Sequence, residues 1–293
     1  MNYAIENEKL KVIVSTLGAE LWSIYGKTTD FEYLWQGLEP FWKGRATNVF
    51  PNCGRLWDGK YTYNGNTYEL PCHGFAKQQE FEVTTFSRTK IVLTLNSNEE
   101  TKKVYPFDFS FTVTYLLKDN TLKTEYKVEN KGEEELPFAL GGHPGFNLPL
   151  AKNLEFSDHY LEFSKKCVAK KLVLSDTCFY VNEKAPFALK ESRKIPLKHS
   201  MFNKDAIFLY GTDKTVTLKS DDAERYVKVS FPEMAYIGFW HNPKTKAPFI
   251  CIEPWTGVPG IDGVIEDFST KQEFNRIPQG ETYINGFDIE VNE

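Results

Sequence analysis

Three segments that contain glycine and proline each carry an ionisable side chain that could do chemistry: His73, His143 and Glu253. Glycine and proline fix sharp backbone paths, and functional side chains are often carried on loops held by a rigid scaffold. We therefore expect these three side chains to lie at strand ends or in loops. A glutamate and two histidines could exchange protons near neutral pH or bind a metal ion.

Each of these residues also has a structural interpretation. A histidine is often a surface residue or a satisfied hydrogen-bonding group. We interpret the other histidines of the chain in this way: His159, His199 and His241. Glu253 directly follows the apolar residues 249–252, and a carboxylate at the end of a buried strand is costly unless it is paired or functional. Its structural alternative is an ion pair with Arg55.

Three other chemistries fit these residues less well. A catalytic zinc site usually shows a spacing such as HExxH, which this sequence does not contain. A Cys72–His73 nucleophile would need both side chains on one side, but neighbours in an extended segment point to opposite faces. A glycosidase normally needs two facing carboxylates, and only Glu253 has a suitable setting. We predict no metal ion, and no cofactor, because no dinucleotide fingerprint or phosphate loop is present.

The pattern of apolar residues indicates that β-strands position these groups. Residues 109–115 and 122–128 alternate apolar and polar positions on either side of Asp119-Asn120, which predicts a hairpin with one buried face. Residues 61–68 predict a second hairpin, because the central Asn64-Gly65 favours a type I′ turn. Further strand-like runs are residues 91–95, 206–210, 215–219, 226–231 and 249–252.

Helical patterns are weak, and only short pieces such as residues 267–274 carry one. Many short strands separated by turns are typical of a β-sandwich or barrel. Because the composition does not change along the chain, we predict a single domain over residues 1–293.

Composition and charge narrow the possible partners and the compartment. The net charge of −5 argues against nucleic acid as a partner, because such binding depends on neutralising phosphates. The polar N-terminus shows no signal peptide, and the longest near-apolar stretch, residues 234–240, is too short to cross a bilayer. Five cysteines without CxxC spacing fit a reducing compartment. We expect a soluble cytoplasmic protein without a membrane partner.

An ordered set of short motifs covers nearly the whole chain and resembles the aldose 1-epimerase (galactose mutarotase) family, most closely its bacterial aldose 1-epimerase-like branch. Each motif alone is weak, but their order is specific. The motifs are FPNCGRL at 50–56, LPCHGFA at 70–76, YPF at 105–107, NTL at 120–122, Asn130, LPF at 136–138, HPGFNL at 143–148, IEPWTG at 252–257 and PQGET at 278–282.

The resemblance implies an all-β fold, a large antiparallel β-sandwich of the galactose mutarotase type, with a sugar in an open cleft across one sheet. It implies that Glu253 is the general base, His143 the general acid and His73 a second histidine of the site. It further implies substrate-binding roles for Arg55 and Asp205. Trp240 and Trp255 are candidate substrate-binding aromatic residues of the cleft, and their alternative is a place in the core.

Two segments depart from the best-known galactose mutarotases. Gly145 stands before Phe146 where the family pattern predicts a tyrosine, and Pro254-Trp255 replaces a different segment after the glutamate. Both differences lie beside the expected sugar position and leave the identity of the sugar open.

The expected activity is interconversion of the α and β anomers of a free aldose, with a monosaccharide as the partner. One alternative is a non-catalytic sugar-binding or sugar-sensing protein on the same fold, because fold does not fix function. A second is a hexose-phosphate mutarotase, which should have additional arginine or lysine side chains near the cleft.

Overall fold

The computed structural model describes residues 1–292, and most of its regular structure is β-strand. In chain order the strands are β1 (Asn2–Glu6), β2 (Leu10–Ser15), β3 (Leu21–Gly26), β4 (Phe31–Glu32), β5 (Ala46–Val49), β6 (Lys60–Tyr63), β7 (Asn66–Glu69), β8 (Glu82–Phe86), β9 (Lys90–Asn96), β10 (Phe109–Lys118), β11 (Thr121–Asn130), β12 (Leu136–Phe138), β13 (Gly141–Asn147), β14 (Tyr160–Phe163), β15 (Lys170–Leu174), β16 (Tyr180–Pro186), β17 (Lys194–Pro196), β18 (Ile207–Tyr210), β19 (Thr215–Lys219), β20 (Val227–Ser230), β21 (Tyr236–Trp240), β22 (Phe249–Trp255), β23 (Asn275–Ile277) and β24 (Thr282–Val291).

Two large antiparallel sheets dominate the architecture. A nine-stranded sheet has the order β17-β14-β19-β20-β24-β11-β10-β9-β8, and a seven-stranded sheet has the order β16-β15-β18-β21-β22-β13-β5. Strands β1 to β4 form a separate four-stranded sheet, and β6-β7 and β12-β23 form two-stranded ribbons. The all-β antiparallel fold expected from the sequence is confirmed.

Both predicted hairpins are present. Strands β10 and β11 pair from Phe109–Asn130 to Lys118–Thr121, and Asp119 at the turn has a φ of 52°. Strands β6 and β7 pair around Asn64 and Gly65, whose positive φ angles of 49° and 76° fit the expected primed turn.

The helical prediction for residues 267–274 is wrong, because this region forms turns. The Asp267 side chain accepts hydrogen bonds from the backbone and hydroxyl of Ser269, which offers the chain a local alternative to a helix. The α-helix of the described chain is α1 (Glu99–Val104), which the sequence pattern did not reveal because six residues are too few to show a helical period. Short 3₁₀ turns occur at Trp57–Gly59, Ala76–Gln78, Phe156–Asp158 and His199–Phe202. Within residues 1–292, no helix has the length and apolar character needed to cross a membrane.

Close contact between the two large sheets fixes the position of β13. A Cβ atom on Gly142 would lie 2.5 Å from the Phe287 ring and 3.3 Å from the Tyr126 hydroxyl, both of which belong to the nine-stranded sheet. The buried apolar cluster that includes both sheets extends from Ile5 to Val291. Gly142 therefore lets the nine-stranded sheet support β13 from behind. The single-domain assignment stays a prediction.

We predict that Gly142→Ala lowers the free energy of unfolding by about 1–3 kcal/mol, because an added methyl group overpacks a buried contact. Urea unfolding followed by fluorescence measures this change. Gly132→Ala is the matched control, since a Cβ there meets its neighbours at an ordinary 3.5 Å. Equal stability of the two variants would contradict the inferred tight contact.

Candidate active site

Glu253 and His143 lie within adjacent interior strands of the seven-stranded sheet. Glu253 in β22 pairs with Gly238 in β21, and His143 in β13 pairs with Thr47 in β5. The register of β13 and β22 on either side sets His143 opposite Glu253, through the pairs Gly141–Trp255 and Gly145–Cys251. The expectation that both residues stand at strand ends or in loops is wrong.

Prolines explain why the sequence pattern predicted strand ends or loops at His143 and Glu253. Pro144 and Pro254 have no backbone N–H to donate, and proline in a sheet usually marks an edge or an interruption. Here both strands continue past their prolines, and the regular pairing of β13 with β22 resumes on either side. The interruption lies where the two ionisable side chains stand.

The two ionisable groups face each other in a largely buried setting. His143 Nε2 lies 3.4 Å from Glu253 Oε2, and the two residues are only 7% and 1% exposed. The remaining polar atoms of the pair, His143 Nδ1 and Glu253 Oε1, are buried and have no hydrogen-bond partner. Gly238 on the neighbouring strand leaves space for the Glu253 side chain. A Cβ at position 238 would lie only 3.2 Å from Glu253 Cβ and would crowd it.

Burial favours the neutral forms of both groups. It raises the pKa of Glu253 well above its usual range, and the negative charge of Asp205 adds to this shift. Burial lowers the pKa of His143 to about 3. Desolvation sets this direction for His143 even though a carboxyl group lies beside the imidazole. The fold therefore favours a protonated carboxyl beside a neutral imidazole, and the carboxyl proton is called the shared proton of the pair below.

His73 reaches the site from a tight turn and not from an extended segment, so the premise used against a Cys72–His73 pair is wrong. Its φ is 66°, and the following Gly74 could not carry a Cβ, which would lie 2.1 Å from the Phe50 carbonyl oxygen. Burial raises the pKa of the Cys72 thiol, which disfavours a nucleophilic thiolate on separate grounds.

The tautomer of His73 is fixed by the backbone. The Gly54 N–H donates to His73 Nδ1 over 3.2 Å, so the neutral ring carries its proton on Nε2. Burial and the nearby positive charges, including that of Lys77, lower the pKa of His73 well below its usual value. Its ring stands edge-on to His143 at 5.1 Å between centroids. His73 is therefore positioned to donate a hydrogen bond from Nε2.

Arg55 pairs with Asp205 and not with Glu253, so the structural alternative from the sequence is wrong. The distance from Arg55 Nη2 to Asp205 Oδ2 is 3.3 Å, and the side chains are 48% and 17% exposed. Asp205 adopts a positive φ of 97°, an uncommon conformation for a residue with a side chain. The pair presents both donors and acceptors to solvent at one side of the sheet.

The two predicted tryptophans occupy different depths. Trp255 is buried and packs on Phe208. Its Nε1–H donates to the Gly142 carbonyl oxygen over 3.1 Å, so the ring forms part of the floor of the cleft. Trp240 is half-buried and stands edge-on to His143 at 5.7 Å. The structure brings all seven predicted site residues to one cleft of about 340 Å³: Arg55, His73, His143, Asp205, Trp240, Glu253 and Trp255. This volume lies in the range of about 300–1,000 Å³ typical of ligand sites.

Sequence reasoning missed several lining residues. The cleft also includes Trp42, Phe208, Asn242 and the partly exposed thiols of Cys72 and Cys178. Trp42 lies in residues 37–44, which contain two glycines and a proline, as the predicted segments do. That composition was the available signal, because it resembles the segments around His73, His143 and Glu253.

One group of side chains has the donor atoms of a metal site. Ligand atoms of His143, Cys251 and Glu253 lie within 4.8 Å of one another, and all three residues are buried. Zinc binds thiolate and carboxylate, whereas burial raises the pKa of both Cys251 and Glu253 and so keeps them protonated. Cys251 also packs in an apolar cluster with Trp35 and Phe249. A metal ion would therefore have to displace protons from both groups, which would lower its affinity.

Comparison with known proteins gives matches along the chain. A family model described as aldose 1-epimerase matches residues 1–266. The chromosomal protein LacX of Lactococcus lactis subsp. lactis is 30% identical to this chain, and the alignment covers 99% of both.

Solved structures share the fold. A galactose mutarotase related enzyme from Lactobacillus acidophilus has a TM-score of 0.93 at 35% identity, and the match covers 100% of this chain and 98% of that one. A galactose mutarotase-like protein from Lactobacillus casei ATCC 334 has a TM-score of 0.95 at 29% identity, with both chains covered completely. The expected sandwich of the galactose mutarotase type is confirmed.

The shared proton predicts an unusual pH dependence of stability. The folded-state pKa of Glu253 lies above its unfolded value, so wild-type stability is lost as pH rises from about 4.5 towards the folded pKa. Glu253→Gln removes this loss. The variant should gain stability relative to the wild type by about 1.4 kcal/mol per pH unit across that window.

Chemical denaturation between pH 4.5 and pH 8 measures the difference. Glu133→Gln, at an exposed position, is the control and should show no such trend. A pH-independent difference for Glu253→Gln would mean that Glu253 is not held protonated by the fold.

Proposed function

The chain belongs to the aldose 1-epimerase family, and we propose that it interconverts the α and β anomers of a free aldose by general acid–base ring opening and closure. One observation carries the proposal: Glu253 and His143 face each other at 3.4 Å in the cleft floor. Burial favours the neutral form of each group, so we propose that the two share one proton. Mutarotation needs such a pair, one group to accept a proton while the other donates one.

Sugar binding prepares the pair for ring opening. The Glu253 Oε1 atom has no partner in the protein, so it is available to accept a hydrogen bond from the C1 hydroxyl. Hydrogen bonds to a carboxylate favour its charged form, which moves the shared proton to His143. Glu253 then removes the C1 hydroxyl proton, the bond between C1 and the ring oxygen breaks, and His143 protonates that oxygen.

Ring closure reverses these roles. After ring opening, Glu253 is protonated, His143 is neutral and the sugar is an open-chain aldehyde. Rotation about the C1–C2 bond presents the other face of the carbonyl. The former ring oxygen attacks C1, His143 takes its proton, and Glu253 returns a proton to the new C1 hydroxyl. The pair ends with the same single proton, so the cycle consumes no redox partner.

The remaining residues are proposed to hold the sugar. His73 offers an Nε2–H donor whose opposite nitrogen is fixed by Gly54. Arg55 and Asp205 offer a donor fork and a carboxylate to neighbouring hydroxyls. Trp240 and Trp255 supply aromatic surface beside the acid–base pair.

The charge of the cleft supports an uncharged sugar. Of the described residues that line it, Arg55 alone carries a fixed positive charge, and Asp205 already pairs with that charge. A phosphate group is bound best by several charged donors. A free aldose therefore fits better than a hexose phosphate.

We predict that the purified protein accelerates anomer exchange of a free aldose in the presence of EDTA and without any nucleotide. Exchange NMR on galactose, glucose and one hexose phosphate measures this, and the phosphate should be the poorest substrate. Loss of activity on chelation with recovery on adding zinc would contradict the proton-transfer mechanism. Sugar binding without exchange would favour a non-catalytic sugar-binding or sensing protein.

A second prediction concerns the acid–base pair. Glu253→Gln keeps the shape of the side chain but removes the proton acceptor, so kcat should fall by at least about 10²-fold while sugar still binds. His143→Asn should cause a comparable loss. The double variant should lose far less than the product of both effects, because groups that act as one unit are not additive.

Polarimetry on freshly dissolved anomers measures these rates, and Glu133→Gln serves as an exposed control. Near-normal turnover by Glu253→Gln would exclude Glu253 as the base.

A further inference from the structure

The second nitrogen of His143 lacks the partner that usually orients a histidine in proton transfer. Nε2 faces Glu253 Oε2 at 3.4 Å, whereas Nδ1 is buried and has no hydrogen-bond partner among the described residues. A backbone carbonyl or a carboxylate commonly occupies that second position. When His143 receives the proton of the pair, its positive charge therefore has no acceptor at Nδ1, and other groups must orient the ring.

The charged neighbours of His143 do not supply the missing stabilisation. Among the described residues, Glu253 alone forms an ion pair with the imidazole. The positive charge of Lys77 adds to burial in lowering the pKa of His143, and burial keeps the adjacent His73 neutral. A charged imidazole is therefore costly in this place, so even a modest interaction with it would change the rate of proton transfer.

The indole of Trp42 packs on this imidazole. Trp42 is half-buried between β4 and β5, and its ring lies 4.8 Å from the His143 ring between centroids, with planes inclined by 34°. Trp240 and His73 stand edge-on to the imidazole at 5.7 Å and 5.1 Å. The face of an indole attracts a cation within about 6 Å of its centroid, and tryptophan does so most strongly among the aromatic residues. Trp42 is therefore placed to stabilise a charged His143.

Other aromatic rings hold the indole in this position. Phe249 lies 6.0 Å from the Trp42 ring at an angle of 25°, and Trp35 stacks on Phe249 at 4.5 Å. The Trp35 Nε1–H also donates to the Trp42 carbonyl oxygen over 2.7 Å. With His143 and Phe249 as near-parallel neighbours, the indole is packed among protein groups and is fixed before any ligand binds.

Two glycines leave space for the indole. A Cβ on Gly44 would lie 2.6 Å from the Trp42 ring, and a Cβ on Gly145 would lie 3.3 Å from the ring atom Cζ3. Gly145 lies two residues after His143 on β13, at the position where the sequence departs from the expected tyrosine. A side chain at either glycine would crowd the indole and disturb its packing on the imidazole.

We propose that Trp42 is a positioning residue of the acid–base pair, and that its indole stabilises the positive charge of His143 during ring opening. This inference rests on the proposed function. The indole exchanges no proton in this role. The charge appears on His143 when the proton of Glu253 moves there, and it disappears when the sugar ring oxygen takes that proton. Because the charge forms only with the sugar bound, the indole should act on kcat and leave KM almost unchanged.

Fluorinated tryptophan tests the electrostatic part of this role. Fluorine withdraws electrons from the indole face and changes its size little, so the attraction for a cation weakens with each fluorine. In protein labelled with mono- and then trifluorinated tryptophan, kcat should fall stepwise by about 3–10-fold in total, with KM within about twofold. All six tryptophans take up the label. Labelled Trp42→Phe is therefore the matched control, and its kcat should hardly respond to fluorination.

Substitutions test the same role without a label. Trp42→Leu fills part of the apolar space but has no aromatic face, so kcat should fall by about 3–30-fold, whereas Trp42→Phe should lose less. Trp22 is also half-buried but packs on Arg45 outside the cleft, so Trp22→Ala should keep the wild-type kcat. Equal kcat in folded Trp42→Leu and Trp42→Phe variants, or an equal response of wild type and Trp42→Phe to fluorination, would overturn the inference.

The proposed function can fail separately, because the wild-type protein would then exchange no sugar. Nitrogen-15 NMR of the His143 ring, assigned by its absence in His143→Asn, would still decide on the indole. Fluorination should lower the pKa of His143 in the wild type and not in Trp42→Phe, since the charged imidazole loses stabilisation. An unchanged His143 pKa in the labelled wild-type protein would overturn the inference.

Discussion

The desolvation of a carboxyl group beside an imidazole is the constraint on which this site depends. Glu253 and His143 are almost fully buried, and each has one polar atom without a partner in the protein. Neither charge is stable alone in such a place, so the pair retains a single proton. Because the fold tolerates this cost, a proton is kept on the pair, and a bound ligand could shift it from Glu253 to His143. Such burial is a common means of shifting acid–base groups towards useful pKa values.

The sheets hold this pair in a rigid position. Both groups stand on neighbouring interior strands, and the nine-stranded sheet supports β13 through the contact at Gly142. The surrounding loops contribute the polar groups: a backbone-oriented His73 and the Arg55–Asp205 pair. The ionisable pair thus stands on strands, whereas the surrounding polar groups stand on loops that the sheets hold in place.

The sequence predicted the hairpins at 61–68 and 109–128 because turn residues and two-residue alternation are local signals. It did not predict the strand positions of Glu253 and His143, since a proline after each suggested a strand end. Trp42 was not predictable either, because its position depends on groups far apart in the chain that leave space for the ring. The neutral forms favoured for Glu253 and His143 were not predictable for a similar reason, because burial is a property of the fold and not of the motif.

The carbon-13 resonance of the Glu253 side-chain carboxyl tests the shared proton most directly. It can be assigned by its absence in Glu253→Gln. The account predicts that this signal does not titrate near pH 4.5, and that added aldose shifts it towards the deprotonated position at neutral pH as His143 takes the proton. An ordinary titration near pH 4.5, with His143 neutral at pH 7, would contradict the account, because the pair would then hold no proton to transfer.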